Sequence, residues 1–368
     1  MTSTTNLPSH LRLACDTCGS SFDEWRWRCS CGAPLDFATE FVPVESSPAD
    51  AALDYRRGLW TFDEFLPTGP HATLGEGMTP LVDASEWDAS FKLEYVFPTG
   101  SFKDRGATTT LSVASELGVD RVVEDSSGNA GAAIATYAAR AGIDAEIYVP
   151  ASVKPSKLRA IERAGAKPVR VEGDRQAVTD ACVEAVEAND AWYASHAWNP
   201  AFFAGTATFA YEVAAQRDWD VPDAVVTPLG HGTLFLGAYR GFNALYEAGW
   251  IDRIPRLYGA QAAGYAPIAE ARHYTAADET NDVADGIQIL SPVRESEIHE
   301  ALDETGGDAI ALSADAVEDE LDRLHRHGFY TEPTCAVAPA ALRELRLMGA
   351  IGDDEDVVVP LTGSGLKS

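Results

Sequence analysis

The segment PTGSFKDRGATTT, residues 98 to 110, sets Lys103 in a Gly/Ser-flanked turn. Lysine is scarce here, six in 368 residues, and arginine outnumbers it heavily. A primary amine in such a turn is either a solvated surface charge or a nucleophile. The second role requires loss of its proton, through desolvation or a cationic neighbour, and Arg105 is close in sequence. A second cluster is CDTCGSSFDEWRWRCSCG. Cys15 and Cys18 form one knuckle, Cys29 and Cys31 a tighter pair, and Gly19 and Gly32 follow as sharp turns that face amides toward the thiolates. Four thiolates at this spacing suit a closed, tetrahedral, structural Zn2+ site of the ribbon type. Two disulfides, or a ribbon that no longer binds metal, are the alternatives.

Two further loops carry polar chemistry. In PLGHGTLFLGAYRGF, Gly230 and Gly232 open a tight turn between an apolar strand and a helix starting near Thr233. The amides of such a loop, with the helix N-terminus behind them, cradle a phosphate. A plain strand-to-helix turn is the alternative, since neither a dinucleotide fingerprint nor a Walker ending is present. In EDSSGNAGAA, Ser126, Ser127 and Asn129 offer hydrogen bonds to a carboxylate or phenolate, or simply cap a helix.

From residue 120 onward, short β-branched runs alternate with helical segments. RVVE, AEIYVP, KPVRV, DAVVTP, RLYGAQA and DVVVP are each strand-like. Alternation of this kind specifies βα units and parallel sheets. Ligands of open α/β sheets sit at the carboxyl ends of the strands, so SSGNAG, PLGHGT and LTGSG point to one crevice. Residues 262 to 308 are the least assignable.

The charge balance is lopsided: 57 Asp and Glu against 28 Lys and Arg, a net of -29. Such a surface repels nucleic-acid phosphates and anionic lipid, so neither nucleic acid nor a membrane is an expected partner. The acid is spread along the whole chain, and with so few lysines it resembles the proteins of salt-loving archaea. No apolar run is long enough to span a membrane, and no secretory leader is visible at the N-terminus. Clustered cysteines fit a metal site in a reducing, cytoplasmic setting better than a disulfide framework.

Taken in order, GEGMTPL at 75 to 81, SFKDRG, SSGNAG, the Gly-rich loop and TGSGLK at 362 to 367 form a set. The set resembles the pyridoxal-phosphate enzymes of the tryptophan-synthase-β type, fold type II, and within them the threonine synthase family. The resemblance covers nearly the whole chain. It implies an α/β, two-domain, three-layer fold with parallel-rich sheets and a small N-terminal zinc-ribbon-like module. The corresponding division is 1–38 for the module, 39–105 and 203–368 for the large cofactor domain, and 106–202 for the small domain. It further implies pyridoxal 5'-phosphate, structural Zn2+, a small amino-acid substrate and a homodimer.

Carried over position by position, Lys103 is the lysine that binds the cofactor aldehyde and then moves protons. Asn129 bonds the ring hydroxyl, Gly230, His231, Gly232 and Thr233 hold the phosphate, and Thr362 faces the pyridine nitrogen. Ser126 and Ser127 hold the substrate carboxylate, and Cys15, Cys18, Cys29 and Cys31 hold the metal. The implied reaction converts O-phosphohomoserine and water to threonine and phosphate. Three departures stand out. Phe202 occupies the position, three after Asn199, where the family carries a phosphate-binding arginine; Ala130 replaces a frequent hydroxyl; and the Gly-rich loop lacks its usual asparagine. VADGIQIL, residues 283 to 290, resembles a stretch of threonine and serine dehydratases. A dehydratase, or another enzyme of β-elimination or replacement, is therefore the alternative on the same scaffold.

Overall fold

The computed structural model describes residues 7–189, 191–273 and 279–367. The chain forms two compact units. One gathers Met1–Val42, Asp54–Gly77 and Lys103–Gly205; the other gathers Pro43–Leu53, Met78–Phe102 and Thr206–Ser368.

In the first unit the cysteine segment is a small antiparallel sheet. Its central strand β1 (Leu13–Ala14) pairs with β2 (Ser21–Phe22) and β3 (Asp36–Phe37). A four-stranded parallel sheet follows, in the order β8 (Lys167–Val171), β7 (Asp144–Pro150), β6 (Arg121–Glu124), β9 (Trp192–Tyr193). Helix α1 (Lys103–Glu116) leads into β6, and helices α2 (Asn129–Ala141), α3 (Pro155–Arg163) and α4 (Arg175–Asn189) connect the strands, as parallel pairing requires. The alanine-rich sequence of α2 favours the helix intrinsically, and Gly142, left-handed at φ 71°, ends it. Leu111, Ile134, Tyr137, Ile147 and Phe202 lie in the buried core. Trp25 stacks on Trp192 at 4.8 Å, and Trp27 meets Tyr193 and Trp198 edge-on at 5.5 and 5.1 Å. The cysteine segment is thus fastened by aromatic contacts to β9 and the residues after it. Glu76, from the GEG stretch, accepts hydrogen bonds from Trp60 Nε1, Thr108 Oγ1, the Leu74 amide and Tyr137 OH. That buried carboxylate ties residues 60–76 to α1 and α2.

Helix α5 (Pro200–Gln216) begins among the residues of the first unit and ends among those of the second. The second unit is built on a six-stranded sheet. Its order is β12 (Asp308–Leu312), β11 (Arg256–Ala262), β10 (Ala224–Pro228), β13 (Val357–Pro360), β5 (Ala89–Lys92), β4 (Leu81–Ala84). All neighbours are parallel except β4 and β5. The run VVVP of β13 is buried at every residue, as expected of a central parallel strand covered on both faces. Helices α6 (Thr233–Glu247), α7 (Pro267–His273), α8 (Glu295–Thr305), α9 (Ala314–Arg326) and α10 (Pro333–Leu347) complete it. The hard-to-assign stretch supplies α7, a single 3-10 turn at Asp285–Ile287 and α8. A second scarce lysine, Lys92, is fully buried here. Its Nζ donates to Glu212 Oε2 at 2.7 Å, Thr79 O at 2.6 Å and Gln216 Oε1 at 2.8 Å. Among the described residues, no helix is long and apolar enough to cross a membrane.

Candidate active site

Lys103 is the first residue of α1 and is half-buried. The positive end of a helix disfavours an ammonium there and favours the free amine. Arg105, two residues on, is wholly buried.

The loop after β6 holds Ser126, Ser127 and Asn129, all half-buried. Asn129 opens α2, but the cap is Gly128, and no side chain caps this helix. Ser126 Oγ instead accepts the Gly128 N–H at 3.2 Å. Capping therefore does not explain Asn129. The loop folds tightly onto its helix: a Cβ at Gly131 would stand 1.8 Å from the Ser126 carbonyl oxygen.

At the carboxyl end of the adjacent strand β9, His196 Nδ1 lies 2.8 Å from Glu124 Oε1, and both side chains are buried. Burial pushes the Glu124 carboxyl well above the usual range, and the charge of Asp125 adds to this. The charge of Lys103 acts in the opposite direction. Asp125 itself accepts hydrogen bonds from Thr179 and Tyr193 at 2.6 and 2.9 Å.

In the second unit, the loop after β10 runs through Gly230 and His231 to Gly232, which is left-handed at φ 79° and caps α6 without any side-chain cap. A Cβ at Gly232 would stand 2.7 Å from Ile298 Cδ1. Thr206 Oγ1 donates to the carbonyl of Thr233, the first residue of the helix, at 2.9 Å. A helix start capped by no side chain aims amides and the dipole outward and suits an anion. Strand β13 is the parallel neighbour of β10, so Thr362, just beyond it, leaves from the same edge of the sheet. Thr362 is buried, with Oγ1 3.3 Å from Cys335 Sγ. Burial pushes the Cys335 thiol up to about 12, so it stays protonated as Thr362's neighbour. The Thr362 carbonyl accepts the N–H of Phe102, the residue immediately before Lys103, at 3.1 Å. Nothing in the local sequence singled out Cys335, an isolated cysteine 27 residues from Thr362.

The four clustered cysteines bring their sulfurs within 4.8 Å of one another. All are free thiols, with Sγ separations of 3.6 Å for Cys15 and Cys31 and 3.5 Å for Cys18 and Cys29. A disulfide needs about 2.05 Å, so the paired-disulfide alternative is not formed. Hydrogen bonding to Ser20 draws Cys18 down to about 6. Gly19 and Gly32 are left-handed, at φ 72° and 93°, as the sharp turns require.

The family of pyridoxal-phosphate dependent enzymes matches residues 72–363. Threonine synthases of Methanocaldococcus jannaschii and Methanosarcina acetivorans are each 32% identical, over 96% of this chain and 92% of theirs. The solved structure of maize serine racemase aligns with a TM-score of 0.67 at 22% identity, covering 78% of this chain and 88% of that one, which shows a shared fold. With its motifs in order and its relatives matched along nearly their full length, the chain belongs to the threonine synthase family of pyridoxal-phosphate-dependent enzymes.

Proposed function

We propose that the chain converts O-phosphohomoserine and water to threonine and inorganic phosphate. The observation that carries this is the near full-length relation to threonine synthases, joined to a donor set that fits pyridoxal phosphate. An amine opens α1, an anion-seeking helix start opens α6, and a buried hydroxyl leaves β13. On this reading Lys103 holds the cofactor covalently, and Asn129 bonds its ring hydroxyl. The amides of Gly230, His231, Gly232 and Thr233 hold its phosphate, and Thr362 faces its ring nitrogen. When bound, pyridoxal phosphate supplies an aldehyde for the substrate amine and a conjugated ring that takes up the electron pair left at Cα.

Lys103, as the free amine, takes the α-proton and then shuttles protons at Cβ. Ser126 and Ser127 hold the substrate carboxylate. Phosphate leaves from Cγ, and water adds at Cβ. A neutral hydroxyl at Thr362 cannot share a proton with the ring nitrogen as a carboxylate would, which tempers electron withdrawal.

A second reading, deamination of threonine or serine, is favoured by one observation. The side chain at position 202 is a phenyl ring that is completely buried, so it offers no charge to a γ-phosphate.

The reading takes 106–202 as the small domain, with 39–105 and 203–368 as the cofactor domain. It places Zn2+ on Cys15, Cys18, Cys29 and Cys31, in a closed site that serves structure. A homodimer, a cytoplasmic location and a salt-adapted acidic surface complete it. Reconstitution with pyridoxal phosphate tests the cofactor assignment. The wild type gains the visible absorbance band of a covalently bound cofactor, and Lys103→Ala does not. Equal bands in both proteins would remove Lys103 from its role.

A further inference from the structure

Glu124 is wholly buried at the end of β6, and a bare carboxylate there needs a cation or a proton. Two groups of opposite charge compete for it. His196 lies 2.8 Å from Oε1, and the charge of Lys103 also reaches the carboxyl. Were Lys103 to serve as the counter-ion, it would be held as an ammonium, with no lone pair to attack or take a proton. The geometry gives the carboxyl to His196 instead. Its other oxygen, Oε2, has no hydrogen-bond partner among the described residues. An unmatched oxygen is tolerable on a carboxyl that shares a proton and costly on a bare carboxylate.

His196 is itself held in place. The ring of Phe202 meets it edge-on, with centroids 6.1 Å apart, and Phe202 packs on Gly106 of α1, the helix that Lys103 opens. The other groups whose charges reach Glu124 are Asp125 beside it and Arg175 at the start of α4. Tyr193 and Cys182 also sense it, and burial keeps both protonated.

We propose that Glu124 and His196 are a positioning pair for Lys103, holding one proton between them so that the buried carboxylate does not claim the lysine ammonium. This deepens the reading of Lys103 as the cofactor lysine. It assigns a role to two residues that touch neither the cofactor nor the substrate in that reading.

The test is competitive labelling of lysines with acetic anhydride in the cofactor-free full chain, read by peptide mass spectrometry with exposed Lys154 as internal reference. His196→Asn leaves a bare carboxylate that draws on the charge of Lys103, with Arg175 the other cation that reaches it. Lys103 labelling relative to Lys154 then falls by about 5-fold or more near pH 7.5. Adding Glu124→Gln removes that carboxylate, and the double variant returns to within about 2-fold of wild type. A purely structural pair would give the opposite: the double variant labels no faster than the single one, and that result overturns the proposal. Unchanged labelling in His196→Asn overturns it as well.

Should His196→Asn not fold, the wild type decides alone. Lys103 labels at least about 3-fold faster than Lys154, and equal or slower labelling contradicts the proposal. Because cofactor is absent, failure here leaves the Lys103 assignment standing. Loss of the cofactor band in wild type would sink that assignment without touching the pair.

Discussion

The ring of Phe202 fills the space beside Gly106: a Cβ at Gly106 would stand 2.0 Å from Phe202 Cδ1. Position 202, where the family resemblance implies a phosphate-binding arginine, is a core position in this protein. Phe202→Arg does not install a phosphate clamp. It buries an unpaired charge and costs about 3 kcal/mol or more, read as a lower denaturation midpoint. An unchanged midpoint would show that the side chain at 202 reaches solvent or a site.

Lys92 and Glu212 form a buried pair with no exposure on either side chain. Lys92→Met leaves Glu212 charged in the interior and destabilises by about 3–5 kcal/mol. The double variant Lys92→Met/Glu212→Leu recovers most of that loss, because both charges are gone. Equal losses in single and double variants would mean that packing, not charge, sets the cost.

Cys335 gives the fold an alkaline limit. Burial holds its thiol up to about 12, against an ordinary value of 9.0. Below the ordinary range both folded and unfolded chains keep this proton, and the stabilising contribution is complete. Above it only the unfolded chain releases the proton, so stability falls as pH rises toward the folded value. The full loss is about 4 kcal/mol. Denaturation curves at rising pH check this, and Cys335→Ala gives a shallower alkaline fall. Parallel slopes in the two proteins would contradict it.

The cysteine segment is coupled to β9 through Trp25 on Trp192. Roughly one Zn2+ per chain is expected, lost in Cys15→Ser. Its removal by a chelator shifts tryptophan emission to the red, as the stacked rings become wet. Metal loss without any spectral change would show that the aromatic contacts hold without it.

Much of this was legible in sequence because it is local. SFKDRG, SSGNAG and the loop at 230 to 233 each sit at the start of a helix, where small residues and turn chemistry leave a signature. The CxxCG and CxCG turns did the same for the cysteine cluster. The polar interior was not legible. Lys92 and Glu212 are 120 residues apart, and Glu124 and His196 are 72 apart. No periodicity announces such pairs, since only the tertiary fold brings them together. Phe202 shows the converse limit. Its place in the motif was readable, but its burial depends on Gly106, some hundred residues earlier in the chain.

Incubating the reconstituted enzyme with O-phosphohomoserine and quantifying inorganic phosphate and threonine tests the proposed reaction. The wild type yields equal amounts of both, and Lys103→Ala yields neither. Formation of 2-oxobutyrate from threonine, with no phosphate released from O-phosphohomoserine, would contradict it.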